Sequence, residues 1–151
     1  MTAGAICVRD VVIAGPAMPV QEAAGLMRDY HVGSLVVAEE INGKTTPVGI
    51  LTDRDLVVEV LAKGQDAEGI TVGDVMSDHL MLVVENESLW NVIQRMRSEG
   101  VRRVPVVDSG GALVGILSVD DMLQLLGDEL SALGRLIGNE QEHEARRRDQ
   151  P

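Results

Sequence analysis

Apolar residues recur at helical spacing in the second half of the chain. The residues Leu89, Val92, Ile93 and Met96 fall at the intervals that put all four on one face of an α-helix. Gly100 follows them, and glycine commonly ends a helix because it adopts the left-handed conformation without strain. The pattern predicts an amphipathic helix of roughly a dozen residues that ends near Gly100.

Short apolar segments bounded by turn residues predict two β-hairpins. The expected strands are residues 34–38 and 47–51 in the first hairpin, and 104–108 and 113–117 in the second. The connecting segments contain Asn42-Gly43 and Ser109-Gly110-Gly111, residue types that favour tight turns. A shorter extended segment is expected well before each hairpin, at 11–14 and at 80–84.

The hairpins belong to an internal repeat. An offset of 69 residues places Met27 on Met96, and beyond the hairpin turn an offset of 66 places Ile50 on Ile116. Three additional residues in the first turn account for the change of offset. Each copy has the order β-α-β-β-α, so the sequence predicts two pseudo-symmetric units that bury their apolar faces against one another.

We therefore expect an α/β (α+β) protein with repeats at residues 2–66 and 71–127 and a helical tail at 128–151. The tail contains an apolar stripe made of Leu130, Leu133, Leu136 and Ile137. One interpretation of the tail is a solvated helix that frays. The other is that the stripe docks on the repeats or on a partner.

Composition narrows the classes of function. The formal net charge of −11 opposes binding to nucleic acids or to an anionic membrane surface. The sequence has no apolar run of the roughly eighteen residues that a membrane span needs and no basic, then apolar, leader at its N-terminus. We expect a cytoplasmic protein. Its single cysteine, Cys7, aligns with Met76 in the repeat and is expected to be a small core residue.

A motif of the form Gly-Ile-Leu-Thr/Ser-x-x-Asp occurs in both copies, where a strand meets a helix. Thr52 with Asp55, and Ser118 with Asp121, resemble helix capping boxes, which is the structural interpretation. In the functional interpretation the helix amides and the hydroxyl cradle a phosphate while the carboxylate accepts ribose hydroxyls. The glycine in the preceding strand would let a flat base approach the backbone.

These motifs together resemble the CBS (cystathionine β-synthase) domain family over nearly the whole chain, from Thr2 to about Gly127. The matching elements are Thr-Val-Gly-Asp-Val-Met from Thr71, Val-Arg-Arg-Val-Pro-Val-Val-Asp from Val101, and the two Gly-Ile-Leu segments. The resemblance implies two CBS repeats packed as a Bateman module, which commonly forms homodimers. It also implies regulatory binding of AMP, ADP, ATP, NAD or S-adenosylmethionine in the cleft between the repeats, and signalling to a protein partner.

The resemblance assigns roles to residues in two sites. In the first, Asp55 would hold the ribose, Thr52 the phosphate, and Ile50 would lie against the base. The corresponding residues of the second site would be Asp121, Ser118 and Ile116. The full set expected to bind ligand is Ser34, Ile50, Thr52, Arg54, Asp55, Arg102, Arg103, Ile116, Ser118 and Asp121.

The two sites are expected to differ in charge. Arg54 stands beside the expected phosphate of the first site, whereas Asp120 takes the matching position in the second and would repel an anion. Arg102 and Arg103 have no basic counterparts in the first repeat. They would reach ligand phosphates across the cleft, or they form an exposed basic strand end.

Two other functions, an enzyme and a ligand-independent interaction module, are alternatives to regulatory ligand binding. An enzyme would need a nucleophile with a base, a metal-ligand set or a carboxylate pair, and the sequence spacing supports none of them, so we expect neither catalysis nor a metal or catalytic cofactor. A ligand-independent interaction or dimerisation module is the stronger rival. Trp90 lies off the apolar stripe of its helix and is expected to be exposed, either at a dimer interface or in ordinary edge packing.

Overall fold

The computed structural model describes residues 1–77 and 79–148. The chain divides into two compact units, Met1–Ser118 and Val119–Pro151. The first unit contains both β-hairpins, and the second contains the last helix. The mixed α/β class predicted from the sequence is confirmed.

The first repeat follows the predicted order of elements. It consists of α1 (Ala3–Ile6), β1 (Ile13–Ala14), α2 (Val20–Tyr30), β2 (Ser34–Ile41), β3 (Lys44–Thr52) and α3 (Asp53–Asp55), which continues as a π-helical segment, Leu56–Leu61. Asn42 and Gly43 both have positive φ angles, 53° and 73°, as a tight hairpin turn requires. Both strands of this hairpin are longer than predicted.

The second repeat has the same elements up to its closing helix. These are α4 (Val72–Val75), β4 (Val83–Val84), α5 (Leu89–Glu99), β5 (Arg103–Val107) and β6 (Leu113–Ser118). The amphipathic helix predicted from the apolar spacing is α5, and Gly100 ends it with φ 68°. The strands before the helices, β1 and β4, are two residues each and therefore shorter than the predicted extended segments.

The two sheets have matching topology and register. In each, the short first strand lies parallel to the second, and the second pairs with the third in antiparallel fashion. Val37 pairs with Gly49 in one sheet, and Val106 pairs with Gly115 in the other. The register also shifts at the same place in both, immediately after these pairs. The repeat read from the sequence is thus a repeat of structure.

The leading segment of each repeat crosses to the sheet of the other repeat. Val8 exchanges two backbone hydrogen bonds with Ile116, each with an N–O distance of 2.9 Å. Ser77 makes the equivalent pair with Ile50, at 3.0 and 3.3 Å. Each segment therefore adds one bridge to the third strand of the opposite sheet. This reciprocal exchange ties the repeats together by backbone pairing as well as by apolar packing.

The crossing segments give a reason for the motif glycines that differs from the predicted one. A Cβ on Gly49 would lie 2.5 Å from Met76 Sδ and 3.0 Å from the Ser77 carbonyl oxygen. A Cβ on Gly115 would lie 2.6 Å from Cys7 Sγ and 2.7 Å from a backbone oxygen. The space at these glycines is filled by the chain itself, so the prediction that they admit a flat base is wrong.

Cys7 and Met76 accordingly have equivalent packing positions, as the alignment of the repeats predicted. Each side chain lies over the motif glycine of the opposite repeat. Burial raises the pKa of the Cys7 thiol, although the nearby Arg9 guanidinium acts in the opposite direction.

The buried core of the first repeat is aliphatic. It contains Ala14, Ala23, Met27, Leu35, Val37, Leu51 and Val72, all less than 9% exposed. Val72 comes from α4, the leading helix of the second repeat, so the exchange of segments also contributes to the core. Trp90, in contrast, is 66% exposed on α5, in agreement with its predicted outward position.

The second unit is the helix α6 (Val119–Arg148). It continues without interruption through residues 127 and 128, where the repeat was expected to end and the tail to begin. Leu130, Leu133, Leu136 and Ile137 are 57 to 68% exposed. The predicted tail is helical through Arg148, residues 149–151 lie outside the described residues, and the apolar stripe is exposed in the single chain.

Candidate ligand-binding site

A cavity of about 400 Å³ lies beside the junction of β3 and α3. Its lining residues come from both repeats: Ile50, Thr52, Asp53, Arg54, Asp55, Ser77, His79, Gly100, Val101, Arg102 and Arg103. Six of the ten predicted site residues are among them, namely Ile50, Thr52, Arg54, Asp55, Arg102 and Arg103. The structure therefore brings the motif of the first repeat together with the arginine pair of the second.

Local geometry fixes the positions of Thr52 and Asp55. Thr52 is the last residue of β3 and the N-cap of α3, and Asp55 is the third residue of that helix. Asp55 Oδ2 accepts hydrogen bonds from the Thr52 backbone N–H and hydroxyl, both at 2.8 Å. The Thr52 hydroxyl in turn accepts from the Asp55 N–H at 3.1 Å. These contacts form the capping box expected in the structural interpretation.

The N–H groups at the start of α3 are all hydrogen-bonded within the chain. Asp53 N–H donates to the Gly33 carbonyl at 3.1 Å, and Arg54 N–H donates to Asp53 Oδ1 at 2.8 Å. The third N–H belongs to Asp55 and is used in the capping box. The predicted phosphate cradle of helix amides is thus absent from this arrangement, because intrachain acceptors occupy these donors.

Positive charge in the cavity comes from side chains. Arg54, Arg102 and Arg103 line it together with the carboxylates Asp53 and Asp55. Three guanidinium groups against two carboxylates give a local excess of positive charge in a chain whose formal net charge is −11. Guanidinium groups bind phosphate oxygens through paired N–H donors, so this excess suits an anionic ligand.

The sequence analysis missed five residues of the lining: Asp53, Ser77, His79, Gly100 and Val101. Of these, Ser77 and His79 come from the crossing segment of the second repeat. His79 Nε2 lies 3.0 Å from Glu99 Oε2 at the end of α5. Ser77 reaches the cavity because its backbone pairs with Ile50. Since the crossing of the leading segments places both residues here, the available signal was the repeat alignment, in which Ser77 matches Val8.

The residues predicted for a second site are distributed differently. Ile116 pairs with Val8 and lies in the first unit, as does Ser118 at the end of β6. Asp121 lies in the first turn of α6, which belongs to the second unit. Ser34 is 9% exposed at the start of β2, opposite Thr52 in the register, and lies beside the first cavity rather than in its lining.

A second concavity lies away from the repeated motif. It is larger, at about 560 Å³, and is lined by residues 9–13 together with Leu26 and Tyr30. Among residues 1–77 and 79–148 there is no group of three or more His, Cys, Asp or Glu side chains placed to hold a metal ion. No helix within the described part of the chain has the length and apolar character needed to cross a membrane.

Comparison with known proteins identifies the family. The family model for the CBS domain matches residues 3–62 and again residues 72–128. An uncharacterized protein of Methanopyrus kandleri is 34% identical over 125 residues, which represent 83% of this chain and 62% of that protein's length.

Two solved structures share the fold. A CBS domain pair in complex with 5′-methylthioadenosine and S-adenosyl-L-methionine is 26% identical, with a TM-score of 0.73, and the match covers 85% of this chain and 98% of that one. A CBS domain protein from Pyrobaculum aerophilum complexed with AMP is 25% identical, with a TM-score of 0.71, over 80% of this chain and 89% of that one. The family match spans both repeats, so this chain belongs to the CBS domain family.

Proposed function

We propose that the chain is a regulatory module that binds an adenosine-containing ligand in the cavity beside β3 and α3. The observation that carries the proposal is the convergence of the first-repeat motif with Arg102 and Arg103 around one cavity. The proposed ligands are AMP, ADP, ATP or NAD. Two proteins of the same fold support this class, since AMP, S-adenosylmethionine and methylthioadenosine all contain adenosine.

Each end of such a ligand has a proposed set of contacts. Ile50 offers an apolar surface to the base. Asp55 offers Oδ1, the carboxylate oxygen that takes no part in the capping box, to a ribose hydroxyl. The phosphate is assigned to Arg54, Arg102 and Arg103, because the amides of α3 are already bonded. Thr52 would contribute its hydroxyl after exchanging its bond to Asp55 for one to phosphate.

A second site at Ile116, Ser118 and Asp121 remains part of the proposal on the strength of the repeat alone. Asp120 replaces the arginine of the first motif, so we expect weaker binding of a phosphate there. Ser34 would take the place that Arg103 has in the first site.

Regulation would follow from linkage. A ligand that binds one arrangement of the repeats better than another shifts the population toward that arrangement. The exchange of leading segments supports this mechanism, because Ser77 lies in the cavity lining and also belongs to the backbone bridge with Ile50. A protein partner would read the shift. The proposed setting is the cytoplasm, without catalysis by the module itself.

Thermal unfolding of dialysed protein with AMP, ADP, ATP, NAD, S-adenosylmethionine or GTP tests the proposal. Ligand at a hundred times its dissociation constant adds about 2.7 kcal/mol to the free energy of unfolding. For a chain of this size the expected increase in Tm is about 5 to 10 °C. Asp55→Ala should remove most of the increase, and Asp121→Ala should remove little of it.

Asp74→Ala is the matched control. Asp74 makes the same two hydrogen bonds to Thr71, both at 2.8 Å, but does not line the cavity. Each alanine variant is compared with its own ligand-free Tm, which separates lost capping from lost binding. If no adenosine compound raises Tm, the ligand-independent interaction module becomes the better explanation. If Asp74→Ala and Asp55→Ala reduce the increase equally, binding of the ligand does not depend on the cavity beside β3 and α3.

A further inference from the structure

Helix α6 carries a long apolar face that is exposed in the single chain. Leu123, Leu130, Leu133 and Ile137 form what we call the α6 stripe, and each is 57 to 68% exposed. Their spacings of seven, three and four residues keep them on one side of the helix. Four large aliphatic residues in one row exceed the scattered exposure that is normal for a surface.

Small residues follow one edge of this stripe. Gly127, Gly134 and Gly138 lie within the helix, where glycine is less favourable than alanine. A Cβ added at any of them would meet no atom within 4 Å, so packing inside this chain does not require them to be glycine. On a helical wheel all three lie within about 60° of Leu123, on the side of the stripe away from Leu133. Such an edge allows another helix to approach closely.

The distribution of charge along α6 selects the direction of the approaching helix. The half from Val119 to Gly134 contains four acidic residues and no basic residue. The half from Arg135 to Arg148 contains four arginines and three glutamates, which gives it a formal net charge of +1 against −4 for the first half. Two parallel copies would place the acidic halves side by side, whereas antiparallel copies place each acidic half beside the half of the other copy that has a slight net positive charge. The helix dipoles also favour the antiparallel pair.

From these observations we propose that α6 is a homotypic interface, in which the α6 stripes of two copies of this chain pack against one another in antiparallel orientation. A second copy matches all three properties of this surface, because its own α6 has an apolar stripe, a small-residue edge and the complementary distribution of charge. The pair would be centred near Leu133 and Gly134, so that Leu130 of each copy lies level with Ile137 of the other. Leu123 lies beyond this central contact.

Disulfide crosslinking of the full chain tests the pairing in a Cys7→Ser background, which removes the native thiol. Gly134→Cys lies at the proposed centre and should crosslink to itself under mild oxidation, and the ligand-free protein should have at least the mass of a dimer. Adding Leu133→Asp should lower the crosslinked yield by at least about tenfold, because it would bury an unpaired carboxylate in the stripe.

Ala132→Asp is the matched control, since it adds the same charge on the opposite side of the helix. Both positions are exposed, so neither change should prevent folding, and far-UV circular dichroism verifies this. A monomeric chain, no Gly134→Cys crosslink, or equal loss with both aspartates would overturn the proposal.

Orientation is tested with Leu123→Cys in the same background. In the antiparallel pair the two copies of residue 123 are separated by about 30 Å along the axis, too far to form a disulfide. In a parallel pair they are adjacent. Crosslinking of Leu123→Cys as fast as that of Gly134→Cys would overturn the antiparallel arrangement, and its failure beside an efficient Gly134→Cys crosslink supports it.

Discussion

Asp55 Oδ2 accepts hydrogen bonds from both the backbone N–H and the hydroxyl of Thr52, each at 2.8 Å. Asp74 makes the same two bonds to Thr71 at the start of α4. Both pairs are capping boxes that stabilise the start of a helix. Of the two carboxylates, only Asp55 lines the 400 Å³ cavity, where a ligand could also contact it. Capping and ligand binding would then draw on different oxygens of the same carboxylate.

Asp53 should oppose binding of a phosphate-bearing ligand. Its Oδ1 accepts the Arg54 N–H, the place that an anion would take at the start of α3. Asp53→Asn removes one negative charge from the cavity lining and should tighten AMP binding by about 1 kcal/mol, or roughly fivefold. Isothermal titration calorimetry measures the change.

Asp29→Asn serves as the control for net charge, since Asp29 lies on α2 outside the cavity lining. Equal affinity for AMP in the Asp53→Asn variant and the unchanged protein would show that Asp53 does not compete with phosphate. An equal gain with Asp29→Asn would indicate a general charge effect.

His31 occupies a position that its repeat counterpart fills with glycine. His31 ends α2 with φ 54°, and Gly100 ends α5 with φ 68°. A left-handed conformation strains a residue that has a Cβ. His31→Gly should therefore stabilise the protein by about 0.5 to 1 kcal/mol, and Gly100→Ala should destabilise it by about 1 kcal/mol. Urea unfolding measures both changes, and stabilisation by Gly100→Ala would contradict the explanation.

Gly115 should tolerate alanine poorly because the backbone of the crossing segment occupies the space that a Cβ would need. The added Cβ would lie 2.7 Å from the Val8 carbonyl oxygen, and the crossing segment would have to shift. We expect Gly115→Ala to cost about 1 to 3 kcal/mol. Gly49→Ala should cost less, since its shortest contact is with the flexible end of Met76.

Gly25→Ala is the control for these substitutions. Gly25 lies within α2, and a Cβ there would meet nothing within 4 Å. It should stabilise the protein by up to about 1 kcal/mol through helix propensity. Chemical denaturation curves of the three variants should therefore follow the order Gly25→Ala, Gly49→Ala, Gly115→Ala in decreasing stability, and a reversed order would reject the crossing-segment explanation.

Asp108 should contribute to stability in a pH-dependent manner. Its Oδ1 accepts the N–H groups of Gly110 and Ala112 at 2.8 and 2.9 Å, and the bond from Ala112 is the main cause of its lowered pKa. A pKa lower in the folded state means that the contribution is present above the unfolded pKa, near 4, and is lost as pH falls through the folded value.

The Asp108→Ala variant should therefore lose stability at pH 7 and become less sensitive to acid below pH 4 than the unchanged protein. Unfolding free energies measured between pH 7 and pH 2.5 give the comparison. An unaltered acid dependence in this variant would show that the turn bonds of Asp108 do not favour its ionised form.

The sequence by itself determined the features that depend on neighbours along the chain. The three- and four-residue spacing of Leu89, Val92 and Met96 predicted α5, and Gly100 predicted its end, because both are local properties of a helix. The Asn42-Gly43 turn and the two offsets of the repeat likewise predicted the hairpins and the duplicated order. The pairing of Thr52 with Asp55 was also readable, since the two residues are three apart.

Only the tertiary structure decided which repeat each leading segment joins. The exchange depends on two backbone hydrogen bonds at Val8 and two at Ser77, and backbone groups carry no sequence signal of their partners. That exchange explains Gly49 and Gly115, and it brings Ser77 and His79 into the cavity lining. These contacts join residues that are far apart in the sequence. Which segment packs over a given strand therefore depends on how well the two surfaces bury one another in the folded chain, and no local pattern records it.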